Sequence, residues 1–193
     1  MRLLVVLGIV IVAVGGTLLR RSSAPEAAPA PTSLQTTTTA NTVPPMLGNA
    51  LALSDLDGWL QTDIASLEDL RGQVVIVQFW TFGCYNCKNT IPYLQDIYAE
   101  HKDAGLEIVG VHAPEFDYEK DPEAILAAAQ DLGVTWPIAL DTQRRNFRSW
   151  LGSPASWPRT YVLDQDGLLR FDHIGEGAYE ELEETVATLL AAG

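Results

Sequence analysis

Two cysteines are the whole thiol inventory of the 193-residue chain, and they stand together as Cys84-Tyr85-Asn86-Cys87. Set across the first turn of a helix, that spacing brings the α-carbons to about 5.5 Å, where a disulfide closes without strain. The run before them, Val74 to Trp80 (VVIVQFW), is apolar almost throughout, as in a strand buried on both sheet faces. Cys84 is therefore placed where strand gives way to helix, facing unpaired backbone N–H groups and the positive end of the helix dipole. A thiolate is stabilised there, which makes Cys84 the candidate nucleophile. Cys87, one turn inward and better shielded, is placed to resolve a mixed disulfide. A structural bridge or half of a metal site also fits two cysteines. The bridge would close a very short loop and add little stability. A metal needs two further ligands, and His101, His112 and His173 are widely scattered, each reading as a surface or strand-end residue.

Pro158 is the second candidate. It follows Trp157 and directly precedes a strand, and beside a cysteine pair it is predicted to be cis, setting backbone groups where an extended substrate peptide could pair.

The elements that must hold these residues alternate between β-type runs and helical stretches. Asp57-Gly58 within Leu51–Leu60 suggests a small N-terminal hairpin or paired edge strands, and Ser66 opens a short helical turn. After the central strand, apolar Ile91, Leu94, Ile97 and Tyr98 predict a helix over 86–103, kinked at Pro92. Leu106 to His112 is a second buried strand, followed by a loop at 113–120. A helix over 122–132 is capped by Asp121, with Pro122 at its first position. A short strand at 138–140, a helical turn at 146–151, two strands flanking the turn Asp164-Gln165-Asp166-Gly167, and a last helix over 179–190 complete the order ββ, βαβα, ββα. This is an α/β domain with a mixed sheet.

The chain carries a net charge of −13, and from residue 46 onward nine Lys and Arg stand against 24 Asp and Glu. Such a surface repels phosphate backbones, so no nucleic-acid partner is expected. Residues 1–21 read as Arg2, an apolar run from Leu3 to Leu19, then Arg20 and Arg21. The run exceeds the usual apolar core of a cleaved signal and reaches the lower limit for spanning a bilayer, so an uncleaved membrane helix is expected. No cysteine follows it, which argues against a lipid anchor on cysteine. Residues 22–45, rich in Ser, Thr, Ala and Pro, cannot bury a core and read as a tether. The folded domain is expected over 46–193.

The segment FWTFGCYNCKNTIPYL, residues 79–94, resembles thioredoxin-like proteins of the TlpA and DipZ type, within the redoxin (AhpC/TSA-like) group. IASLEDLRGQVVIVQFW, Gly110 to Phe116, Trp157-Pro158 and Gly175 to Tyr179 extend the similarity over nearly all of residues 50–190. The resemblance implies a thioredoxin fold with an N-terminal β extension and a central insertion. It also implies a protein disulfide oxidoreductase, membrane-tethered, with its catalytic domain on the extracytoplasmic side. Cys84 and Cys87 would be the redox pair, Pro158 the cis proline, and Trp80 and Phe82 would shape the surface around them, with Trp157 beside Pro158. Tyr85 and Asn86 would tune the potential. No cofactor beyond the redox-active disulfide is expected. The partners would be protein thiols or disulfides, including those of apocytochromes c, and a membrane electron donor or acceptor of the CcdA or DsbD kind.

Two departures stand out: Gln78 occupies the place of the buried acid of thioredoxins, and Thr90 that of a glutamate some relatives carry. Glu115, in the loop after the second strand, is the candidate to move protons in their stead. Two rival functions fit the same residues. Thr81, three residues before Cys84, suits a thiol peroxidase, although Val77 stands where its proline would. A copper chaperone would use Cys84, Cys87 and a histidine such as His173.

Overall fold

The computed structural model describes residues 42–193, so the expected membrane helix at 1–21 and most of the tether lie outside the described residues. Among the described residues no helix is long and apolar enough to cross a membrane. Seven strands form one mixed sheet: β1 (Gly48–Asn49), β2 (Gly58–Leu60), β3 (Val74–Trp80), β4 (Leu106–His112), β5 (Ile138–Leu140), β6 (Arg159–Leu163) and β7 (Leu168–Ile174). Their order across the sheet is β1-β7-β6-β3-β4-β5-β2. The apolar run VVIVQFW is the central strand, buried at every position, parallel to β4 and antiparallel to β6. Four α-helices pack on this frame: α1 (Tyr85–His101), α2 (Pro122–Asp131), α3 (Arg145–Leu151) and α4 (Tyr179–Ala192).

Alternation along β3 sorts the core into two layers. Val74, Ile76 and Trp80 join Cys87, Ile91, Leu94 and Ile97 of α1, Ile125 of α2 and Leu182, Val186 and Leu189 of α4. Val75, Val77 and Phe79 face the other way, against Phe147 and Leu151 of α3 and the segment around Leu53 to Leu67. The period of two in the strand and of three to four in the helices therefore meet as read. α1 begins at Tyr85 and continues without a break through Pro92.

Of the hairpin and the edge strands expected for the N-terminal segment, the edge strands form and the hairpin does not. β1 pairs antiparallel with β7, and β2 pairs antiparallel with β5, so the two lie at opposite edges of the sheet. The chain between them crosses the face opposite α1, and its apolar residues Leu53 and Leu56 pack on that core layer. Asn146 of α3 pins the crossing, donating to Ser54 O at 2.8 Å and accepting from Ser54 N at 2.9 Å. The gain from covering an otherwise bare apolar sheet face outweighs that of a local two-stranded turn, which is marginal alone.

Candidate active site

Cys84 is the N-cap of α1, with extended backbone angles, and Cys87 lies in its first turn. The two are joined in a disulfide with α-carbons 5.3 Å apart. Cys87 N–H donates to Cys84 Sγ at 3.1 Å, so one of the orphan donors of the helix end is aimed at the outer sulfur. Cys84 is half-buried and Cys87 is fully buried, which leaves one sulfur open to an incoming group and the other shielded. The helix has no acidic residue in its first turn, so nothing on α1 itself opposes a thiolate there.

Sheet register brings the second motif alongside. Phe79 pairs with Arg159, so Pro158 continues β6 opposite Trp80, at the end of β3 that runs into the cysteine loop. The Trp157–Pro158 bond is cis, and Pro158 is buried with its carbonyl accepting from Gly175 N at 2.8 Å. A second cis bond, Ser153–Pro154, lies in the approach to it. Trp157 stacks on Phe147 at 4.2 Å and donates from Nε1 to Ala113 O at 3.0 Å, which ties the proline segment to α3 and to the loop after β4.

The surround differs from expectation at three residues. Trp80 is not part of the surface: it is buried, edge-on to His112 and lying over Gly110, where any Cβ would collide with its indole and with that of Trp136. Glu115 is solvent-exposed, and its own backbone N–H donates at 2.6 Å to Glu119 Oε2. The buried carboxylate of the loop is therefore Glu119, four residues further on. His112 is a strand-end residue but not a surface one, being fully buried at the end of β4. The remaining residues lie near the surface: Phe82 stacks on His112 at 5.6 Å, Asn86 is exposed, and Tyr85 is 73% exposed. Phe116 and Tyr118, both exposed, continue the aromatic surface from Phe82.

Glu119 is 0% exposed. Its carboxylate accepts from Gly83 N at 2.8 Å, Glu115 N at 2.6 Å and Phe116 N at 2.9 Å. Gly83 is required by this approach, because a Cβ there would overlap Glu119 Oε1 and crowd the Tyr118 hydroxyl. His112 Nε2 lies 3.4 Å from Phe82 N, which donates to it, and 3.3 Å from the Thr81 hydroxyl. Accepting at Nε2 puts the imidazole proton on Nδ1. Burial pushes the His112 pKa down to about 4, against a smaller upward pull from Glu119, so the ring is neutral at pH 7. Glu119 had no distinguishing pattern in sequence among Glu115, Asp117 and Asp121. For His112 the signal was strand parity, which places it on the face of Leu106 and Ile108.

The two residues that stand in place of acids differ in their bonding. Thr90 is buried and bonded to Asn86 O at 3.0 Å, while Gln78 is buried with its Nε2 unpaired. Thr81, the residue that suggested a peroxidase, is buried against His112. Among the described residues, ligand atoms converge in Glu100, His101 and Glu183, a group that contains neither cysteine nor His173.

An outer sulfur at a helix N-terminus, bonded to a buried partner one turn away beside a cis proline, on a thioredoxin-like α/β sheet, is the arrangement that dithiol–disulfide exchange requires. The chain belongs to the AhpC/TSA family, which it matches over residues 48–172. It is similar to Protein DipZ of Mycobacterium tuberculosis, 39% identical over 147 residues, which cover 74% of this chain and 21% of that protein. Thiol-disulfide oxidoreductase ResA of Bacillus anthracis is 30% identical over 117 residues, 61% of this chain and 64% of its own length. Among solved structures, a thiol-disulfide isomerase from Corynebacterium glutamicum superposes with a TM-score of 0.62 at 26% identity, covering 74% of this chain and 97% of that one. The chain thus spans about a fifth of the length of the DipZ relatives.

Proposed function

We propose that this protein is a membrane-tethered, extracytoplasmic thiol–disulfide oxidoreductase that exchanges disulfides with protein substrates through Cys84 and Cys87, without a further cofactor. The observation that carries the reading is the bonded pair itself, with Cys84 reachable at the mouth of α1 and Cys87 buried behind it. In the reducing direction, the Cys84 thiolate attacks one sulfur of a substrate disulfide, forming a mixed disulfide and releasing the first substrate thiolate. Cys87 then gives up its proton to solvent and attacks Cys84 Sγ as a thiolate, which breaks the mixed bond, closes Cys84–Cys87 and releases the second substrate thiolate. Two electrons pass to the substrate, the two protons lost by the enzyme dithiol are made up on the substrate thiolates through solvent, and a donor dithiol restores the pair.

Tyr85, Phe82, Phe116 and Tyr118 offer exposed or half-buried aromatic surface beside the reactive sulfur, suited to an unfolded or extended polypeptide. The backbone at Trp157-Pro158 is the matching site for strand-like pairing. A CcdA- or DsbD-like membrane protein is the proposed source or sink of electrons, and apocytochromes c are among the proposed substrates. The apolar run at 3–19 is the proposed single-pass anchor, followed by the tether.

Alkylation and mass spectrometry before and after reductant should show two thiols appearing together, and Cys84→Ser should abolish insulin reduction while Cys87→Ser accumulates mixed disulfides. Full activity of the Cys84→Ser protein would sink the mechanism. For the anchor, the full chain should stay in the membrane pellet through alkaline carbonate and be digested by protease added to spheroplasts. Release by carbonate would reject it.

A further inference from the structure

Cys84 sits under two opposed influences. The end of α1 and the Cys87 N–H favour its thiolate. On the other side of the loop stands Glu119, a buried carboxylate bonded to Gly83 N at 2.8 Å, one residue before the nucleophile. Standard bond lengths place that carboxylate no more than about 10 Å from Cys84 Sγ. Among the described residues no Lys or Arg pairs with Glu119. Its three donors are backbone N–H groups, which carry no net charge. The groups set near it are His112 of β4, neutral at pH 7, and the Tyr118 hydroxyl of its own loop, while Arg144 acts on Asp117 of the same loop. The exposed Glu115, Asp117 and Lys120 complete the loop.

Resting on the oxidoreductase reading, we propose that Glu119 is a positioning residue that holds the Cys84 loop and keeps the Cys84 thiolate at higher energy than the helix end alone would, biasing the pair toward disulfide and the protein toward reduction of its substrates. The geometry carries both halves. Bonding to Gly83 N fixes the backbone entering the cap, and the glycine is there because the carboxylate occupies the space a side chain would need. The Glu119 carboxylate is shut off from water although the Gly83 it binds is exposed, so its charge reaches Cys84 with the screening usual near a protein surface. At an effective dielectric of about 20, such a separation changes the thiolate fraction roughly tenfold, about one pH unit. The thiolate belongs to the reduced form, so disfavouring it lowers the reduction potential, the reverse of what makes a strong oxidant.

The test is the pH dependence of Cys84 alkylation by iodoacetamide in the reduced full chain. The midpoint of the unaltered protein should lie near or above the ordinary thiol value of about 8.5 despite the helix end. Glu119→Gln should lower it by about one unit and raise the alkylation rate at pH 7 roughly tenfold. Glu119→Asp, which keeps the charge, should recover most of the shift while losing similar resistance to urea. The potential of Glu119→Gln should match the unaltered protein at pH 6 and become more positive above pH 8, by up to about 30 mV for a tenfold change. A midpoint below 7 in the unaltered protein overturns the proposal whether or not the variants fold. So does a Gln variant that loses stability with no change in midpoint. Midpoints as expected in a protein that reduces no disulfide would leave the role of Glu119 standing and remove the function.

Discussion

His112 is neutral in the folded protein because burial holds its pKa near 4, whereas the same ring in an unfolded chain titrates near 6.5. The sign follows from which state binds the proton: between those values the unfolded chain takes up a proton that the folded chain refuses. The stability this supplies is complete above pH 6.5 and is lost as the pH falls toward 4, a change of about 3 kcal/mol. Urea midpoints measured from pH 7 down to pH 4 should fall along that window, and His112→Asn should remove that part of the slope; a flat wild-type profile would contradict the buried neutral ring. Gly83 makes a steric prediction at the same scale. Gly83→Ala forces a methyl group into Glu119 Oε1, so it should cost about 1–3 kcal/mol and slow exchange at Cys84. An alanine variant as stable and active as the wild type would show that the carboxylate is free to move.

α1 owes its function to its first turn and α3 supports it from a distance. The N-terminus of α3 is closed by Asp141, which is buried and accepts from Arg145 N at 2.8 Å, Asn146 N at 3.2 Å and Phe147 N at 2.8 Å. Phe147 stacks on Trp157, the residue before the cis proline, so the cap is linked through two side chains to the wall of the active site. Asp141→Ala would strand buried donors as well as remove a cap, and it should lower unfolding free energy by about 2–3 kcal/mol in urea titrations. The exchange rate should fall with it; a loss under about 0.5 kcal/mol would mean that α3 is held by its apolar face alone. The edge strands β1 and β2 illustrate the same dependence of local structure on distant partners. Each is only two or three residues long and exists by pairing with β7 or β5.

For the whole molecule, folding and redox state form a closed cycle: whichever of dithiol and disulfide the fold prefers is the form that unfolds less readily. Where the net potential of the folded pair lies below that of the unfolded chain, the oxidised protein is the more stable one, by about 1.4 kcal/mol for each 30 mV of separation. Urea titrations with and without reductant should show this order, and the reverse order would mark an oxidant. Much of the molecule was open to reading from residue order, because its signals are local. The burial of β3 came from an unbroken apolar run, α1 and α4 from their periods, and the nucleophile from a two-residue gap at a strand-to-helix junction. The glutamate that enters the site was not open to such reading. Glu115 and Glu119 share one charged loop, and nothing in their order distinguishes them until the loop folds back onto Gly83 and buries one. The same holds for the N-terminal segment, whose Asp57-Gly58 turn signal yielded to pairing at opposite sheet edges. Side-chain type and period are written into the chain, whereas which charge loses its water is settled by contacts between residues far apart in it, and only the assembled sheet supplies those.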